Sequence, residues 1–124
     1  MKSPLDNPAV PDATAPGLNT RRWERFKVEI RIKARYFRDG QELTVFGQGQ
    51  DVSEGGMAAY VPADLVPGEV LELELTPPYT QRSIFVRASV RNRDGYRYGI
   101  EYLHIAPADR ELLMRSIKAL ALVQ

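Results

Sequence analysis

The chain has no cysteine in its 124 residues, so a disulfide, a thiol nucleophile and a cysteine-built zinc site are all excluded. A reducing compartment suits such a chain, and the cytoplasm is the expected location. Histidine is almost absent as well. The single one, His104, has no neighbouring residue to act as second ligand or orienting carboxylate, and no serine sits in a Gly-x-Ser-x-Gly turn. A nucleophile–base triad therefore has nothing to be built from, and no metal or other cofactor is expected. No apolar run approaches the roughly 20 residues of a membrane span. The N-terminal stretch MKSPLDNPAVPDATAPG also lacks the apolar centre of a signal peptide, so a soluble chain without membrane insertion is expected.

Net charge is nearly lacking too, at +1, but the charges are sorted along the chain. From Arg21 to Arg38 eight basic residues stand against Glu24 and Glu29, whereas Asp39 to Pro77 holds eight acids and no base. A second basic stretch follows with Arg82, Arg87, Arg91, Arg93 and Arg97. If strands from the two basic segments lie side by side, they form a positive surface for an anionic ligand; if not, they are solvated faces.

Residues 1–19 carry Pro4, Pro8, Pro11 and Pro16 among small polar residues without apolar periodicity, and read as a disordered tail. From Phe26 the pattern changes. Val28, Ile30, Ile32, Ala34 and Tyr36 alternate with charged residues, the period of a half-buried strand. Asp39-Gly40 supplies a hairpin turn, and a second strand over Leu43 to Gln50 runs back. Met57 to Val61 forms a third. Leu71, Leu73 and Leu75 follow the Pro67-Gly68 turn and alternate with Glu72 and Glu74, which therefore read as an outer strand face and not as an acid–base pair. Ile84, Val86, Ala88 and Val90 make a fifth strand. The turn Asp94-Gly95 leads into a sixth, with Tyr96, Tyr98, Ile100 and Tyr102 on one face.

The period then switches to that of a helix over about 107–122. Pro107 suits the first helical position, Asp109 and Glu111 fall in the first turn, and Leu113, Ile117, Leu120 and Ala121 share a face. Six short antiparallel strands followed by one amphipathic helix imply a mainly β protein: a closed or nearly closed barrel over about 26–104, with the helix covering an opening. One domain, 20–124, accounts for the chain beyond its tail.

Two stretches stand apart from this scaffold. Arg21-Arg22-Trp23-Glu24-Arg25 places three guanidinium groups within five residues, where the tail meets the first strand. An arginine fork donates two parallel hydrogen bonds to phosphate oxygens or to the O6/N7 edge of guanine, and its flat face stacks on a base. Asp51-Val52-Ser53-Glu54-Gly55-Gly56 lies between the second and third strands. As a plain polar turn, Asp51 and Ser53 bond local amides and Gly55 and Gly56 take positive φ. As a site, Asp51 accepts the N1 and N2 protons of guanine, Ser53 adds a hydroxyl, and Gly56 lets the backbone approach a flat ligand.

Taken together, these stretches resemble the site of the PilZ domain family: an RxxxR motif before the first strand, then D/N-x-S-x-x-G between the second and third. The resemblance extends through PGEVLELEL at 67–75 to YGIEY at 98–102, covering about residues 20–104. It implies a six-stranded antiparallel PilZ-type barrel with a C-terminal helix, and a receptor for cyclic di-GMP. Arg21 and Arg25 would grip phosphates and guanine edges, with Arg22 auxiliary, while Asp51, Ser53, Gly55 and Gly56 hold a guanine against the barrel. Family members with an arginine immediately before RxxxR are associated with a stacked ligand dimer. Here Thr20 stands there, and one or two ligands per chain both stay open.

By the same resemblance, ligand binding reorders the arginine segment and changes the surface offered to a separate downstream protein, with the receptor itself a monomer or weak homodimer. Two rival readings are separable from this one. A PilZ-fold interaction module that binds no nucleotide would ignore cyclic di-GMP. A β-barrel for single-stranded nucleic acid would use Trp23, Tyr96 and Tyr98 as stacking platforms.

Overall fold

A computed structural model describes residues 24–78, 80 and 82–124. The expected tail, Arg21, Arg22 and Trp23 lie outside the described residues. Six strands follow in order, β1 (Ile30–Arg38), β2 (Gln41–Val52), β3 (Gly56–Tyr60), β4 (Val70–Thr76), β5 (Ile84–Asp94) and β6 (Arg97–Ile105), before one helix, α1 (Pro107–Ala121). All pairings are antiparallel, and the sheet closes on itself in the order β1-β2-β3-β6-β5-β4. The barrel begins later than the alternation implied. Phe26 makes only an isolated bridge to Val52, and regular pairing starts at Ile30.

Closure is driven by the alternation itself. Ile30, Ile32 and Ala34 of β1, Leu71, Leu73 and Leu75 of β4, and Ile84, Val86, Ala88 and Val90 of β5 all face inward and are buried. Each fully buried Ile, Leu or Val stabilises the fold by about 1.5–3 kcal/mol relative to exposure. On β6, Tyr98 and Ile100 are buried and Tyr102 is partly so. Tyr96 departs from that face: the β5–β6 linker is Gly95-Tyr96, and Asp94 pairs with Arg97. Gly95 takes the positive φ of 64° at the first linking position, a type II′ arrangement, so the turn falls one residue later than Asp94-Gly95 and leaves Tyr96 exposed. The β1–β2 turn is as expected, with Asp39 and Gly40 at φ 55° and 74°.

In α1, Pro107 occupies the start and Leu113, Ile117 and Leu120 join the barrel's own core. Ser116 is buried with them, while Ala121, at the helix end, is exposed. The first turn is fastened to β5: Asp109 accepts the Phe85 amide at 3.3 Å and pairs with Arg82. At the other end, Gln124 Oε1 accepts the Glu29 amide at 2.8 Å, tying the C-terminus to the segment that leads into β1. No helix among the described residues is long and apolar enough to cross a membrane.

Candidate functional site

Inward positions on β2 run through Gly49, and strict alternation would send Asp51 into the core. A bulge between Gly49 and Asp51 prevents this. Gly49 pairs with Ala59 but Asp51 with Ala58, so the extra residue, Gln50, reverses the phase. Val52 then points inward at 0% exposure, and Asp51 lies on the outer face of the strand. Asp51 is thus part of β2, not of the loop after it.

Arg25 reaches Asp51 from the bridge segment: its Nη1 donates to Oδ2 at 3.4 Å. The other oxygen, Oδ1, is buried and has no hydrogen-bond partner. The Asp51 side chain is only 13% exposed and Arg25 is 49% exposed, so a nearly covered acceptor sits beside a mobile-length cation. Leaving a buried acceptor without a donor costs about 1–3 kcal/mol.

Ser53 and Gly56 are engaged differently from what their types suggested. The Ser53 hydroxyl donates to the Gly56 carbonyl at 3.1 Å and accepts the Gly55 and Gly56 amides at 3.2 Å each, which uses its donor and both acceptor positions. It builds the β2–β3 turn and has nothing left for a ligand. Gly56 does not take a positive φ; those glycines are Gly40, Gly68 and Gly95. A Cβ at Gly56 would meet the Ile100 carbonyl at 2.3 Å, so the close approach that requires glycine is that of β6. The Gly55 carbonyl accepts the Tyr102 amide at 3.0 Å, fixing the turn to β6 as well. The Tyr102 hydroxyl is buried without a partner, and burial raises its pKa, keeping it neutral.

The two basic segments do not form one positive surface. β4 stands between β1 and β5, and its acids neutralise both: Lys33 lies 4.0 Å from Glu74, and Arg87 donates to Glu72 at 2.8 Å. Arg35, Arg38, Arg91 and Arg93 pair with Glu42, Glu69, Glu101 and Asp64. The Arg38 guanidinium is raised in pKa, chiefly by its hydrogen bond to Glu69. Among the described residues of the Asp51 side, Lys27, Arg31 and Arg97 have no such carboxylate. Lys27, Glu29, Gln50, Arg97 and Gln124 line an open groove of about 600 Å³ there, with Arg97 Nη1 donating to Gln50. Gln50 carried no signal in the sequence, and Lys27 and Arg97 stood out there only as members of the two basic stretches. The phase change from Val45 at an odd position to Val52 at an even one was the available signal for the bulge.

Tyr98 is not a stacking platform. It is fully buried, donates to the Ala63 carbonyl and accepts the Leu65 amide at 2.9 Å. Tyr96 is exposed but lies beneath Arg93, whose guanidinium carbon is 5.6 Å from the ring centre.

A closed six-stranded antiparallel barrel, with Arg25 meeting Asp51 at the end of β2 and one C-terminal helix on its core, is the architecture these elements define. The chain belongs to the PilZ domain family, whose model matches residues 19–119. Solved structures with this fold include the inhibitor of motility MotI/DgrA of Bacillus subtilis. Its TM-score is 0.63 at 22% identity, over 82% of this chain and 51% of that one. This chain thus spans about half the length of the Bacillus protein. The PilZ domain of YcgR from Escherichia coli, solved with c-di-GMP, matches with TM-score 0.63 and 22% identity, over 81% of this chain and 90% of that one. The PilZ domain of CeSA from a cellulose-synthesizing bacterium gives 0.60 and 18%, over 78% and 97%. No curated protein sequence matches the chain.

Proposed function

We propose that this PilZ domain is a receptor for cyclic di-GMP that transmits binding to a separate protein, and that Arg21, Arg25 and Asp51 hold the nucleotide. The observation that carries the reading is the Asp51 carboxylate: one oxygen buried without a donor, the other held by a single bond of 3.4 Å to Arg25. A guanine edge offers two adjacent N–H groups, N1 and N2, which would satisfy that carboxylate. The same step would release Arg25 to meet a phosphate or to stack on a base. In this reading Ser53 and Gly56 act by holding Asp51 and its turn in place, and Arg22 assists from the arginine segment. The movement of Arg25 from Asp51 onto the nucleotide is the signal that a downstream protein reads. The likeness to an inhibitor of motility makes a motility component one partner to test.

Isothermal titration of the full chain with cyclic di-GMP, with GTP as control, tests this. We expect specific binding at one or two ligands per chain. Arg25→Ala and Asp51→Ala should each weaken it by roughly tenfold to a hundredfold, the range for a charged hydrogen bond. No binding at tens of micromolar protein, together with an unshifted Tm, would leave the chain a protein-interaction module.

A further inference from the structure

On the outer wall formed by β1 and β4, with β2 and β5 on either side, the order of side chains is its own complement. Phe46 of β2 pairs with Lys33 of β1, Lys33 with Glu74 of β4, and Glu74 with Phe85 of β5. The next row runs Thr44, Arg35, Glu72, Arg87 in the same strand order. Directly paired residues project from one face of a sheet, and the intervening Ile32, Ala34, Leu73, Leu75, Ile84 and Val86 are the buried ones. Two residues further along, Phe37 and Val70 hold the next outward positions on β1 and β4, at 66% and 48% exposure. Phe46 and Phe85 are 63% and 55% exposed, so three of the chain's four phenylalanines meet solvent on this one wall.

Exposed apolar groups gathered among charges mark a contact surface, and the order of the charges selects its occupant. A two-fold axis running along the strands, midway between β1 and β4, turns this wall onto a second copy with its strand order reversed. Phe46 then meets the partner's Phe85, Lys33 the partner's Glu74, Arg35 the partner's Glu72, and Phe37 the partner's Val70, each contact being made twice. An axis across the strands instead sets β1 on β1 and β4 on β4, bases against bases and acids against acids. The wall also raises little net repulsion between copies, because its charges already balance in the pairs Lys33–Glu74 and Arg87–Glu72. A barrel wall curves away from a facing surface, so contacts at its flanks need long side chains. Phenylalanine stands at those flanks on β2 and β5, three strand spacings or roughly 14 Å apart.

We infer that the wall β2-β1-β4-β5 is a docking surface for a second copy of this chain, joined about a two-fold axis between β1 and β4. Three rows of outward positions make a small contact, below the roughly 1,200 Å² of a standard interface, so the dimer is weak and forms at high protein concentration. The inference does not depend on the receptor reading: β3, β6 and the Arg25–Asp51 pair lie outside the docking surface.

Sedimentation velocity of the full chain without nucleotide, from about 10 μM to about 1 mM, tests this, with Tm measured for every variant. The wild type should pass from monomer to dimer across that range. Phe46→Ser and Phe85→Ser should each raise the dissociation constant by more than about tenfold and leave Tm nearly unchanged, because both side chains are already in solvent. Tyr60→Ser, which removes an exposed aromatic from β3, should dimerise as the wild type does. Charge reversal fixes the register. Lys33→Glu sets acid against acid at both copies of the contact, and Glu74→Lys sets base against base, so each variant alone should be monomeric. Mixed in equal amounts the two should associate, because every acid then faces a base. A wild type that stays monomeric throughout overturns the inference. So do phenylalanine variants that dimerise within about twofold of the wild type, an equal loss in Tyr60→Ser, or a mixture of the two charge variants that stays monomeric.

Discussion

At Asp51 the chain holds a carboxylate oxygen that water does not reach and no donor satisfies. Such a group is held against its own preference by the bulge that turns it out of the core, and removing it relieves the fold. Asp51→Ala should therefore leave the Tm of the ligand-free protein unchanged or raise it, even as it weakens the ligand response. Gly56→Ala should do the opposite. Its methyl would collide with the Ile100 carbonyl, so β3 and β6 must part, at a cost of about 1–3 kcal/mol read as a lower Tm without any ligand. Thermal melts of the two variants separate the members of one motif into a binding residue and a scaffold residue. Asp51 and Arg25 were legible only through the resemblance of RRWER and DVSEGG to a paired motif, since either stretch alone also reads as ordinary polar surface or turn. The sequence did not reveal that the Ser53 hydroxyl is consumed by three backbone groups, since its type fits both roles equally well.

Among the elements, α1 illustrates how a short helix is fixed on a barrel. Its N-cap, Ala106, provides no side-chain cap, and Asp109 serves instead by accepting the Phe85 amide and pairing with Arg82. An acid in the first turn also complements the helix dipole. Asp109→Ala should cost about 1 kcal/mol, or roughly 4–8 °C in Tm for a domain near this size. The matching loss in Arg82→Ala, with little further loss in the double variant, would show that the two act as one unit. The strands and this helix were readable because their apolar periods are strict and local. The hairpin neighbours β1–β2 and β5–β6 were readable from their turns, but the pairs that close the barrel were not. That β4 separates β1 from β5, and so cancels the charge of both, is a matter of long-range pairing that alternation does not encode.

Across the whole molecule, a net charge of +1 conceals an uneven distribution. Lys33, Arg35, Arg38, Arg87, Arg91 and Arg93 meet acids across the sheet, whereas Lys27 and Arg97, which line the groove together with Glu29, form no ion pair among the described residues. An anionic ligand would meet this residual field before any contact. Lys27→Ala and Arg97→Ala should each weaken nucleotide binding several-fold at low ionic strength. The loss should shrink as salt approaches 1 M, where charges more than about 3 Å apart are screened. Titrations at two salt concentrations check this, and an equal loss at both would assign these residues a direct contact instead.

The bond from the Glu29 amide to Gln124 gives the polypeptide an uncommon mechanical layout. A pull on the last turn of the helix reaches Lys27 and Arg25 without passing through the barrel at all. Such a bond is worth only about 1 kcal/mol net. It behaves as a pin that slips, not as a weld, and the two ends it joins can part without loosening the wall between them.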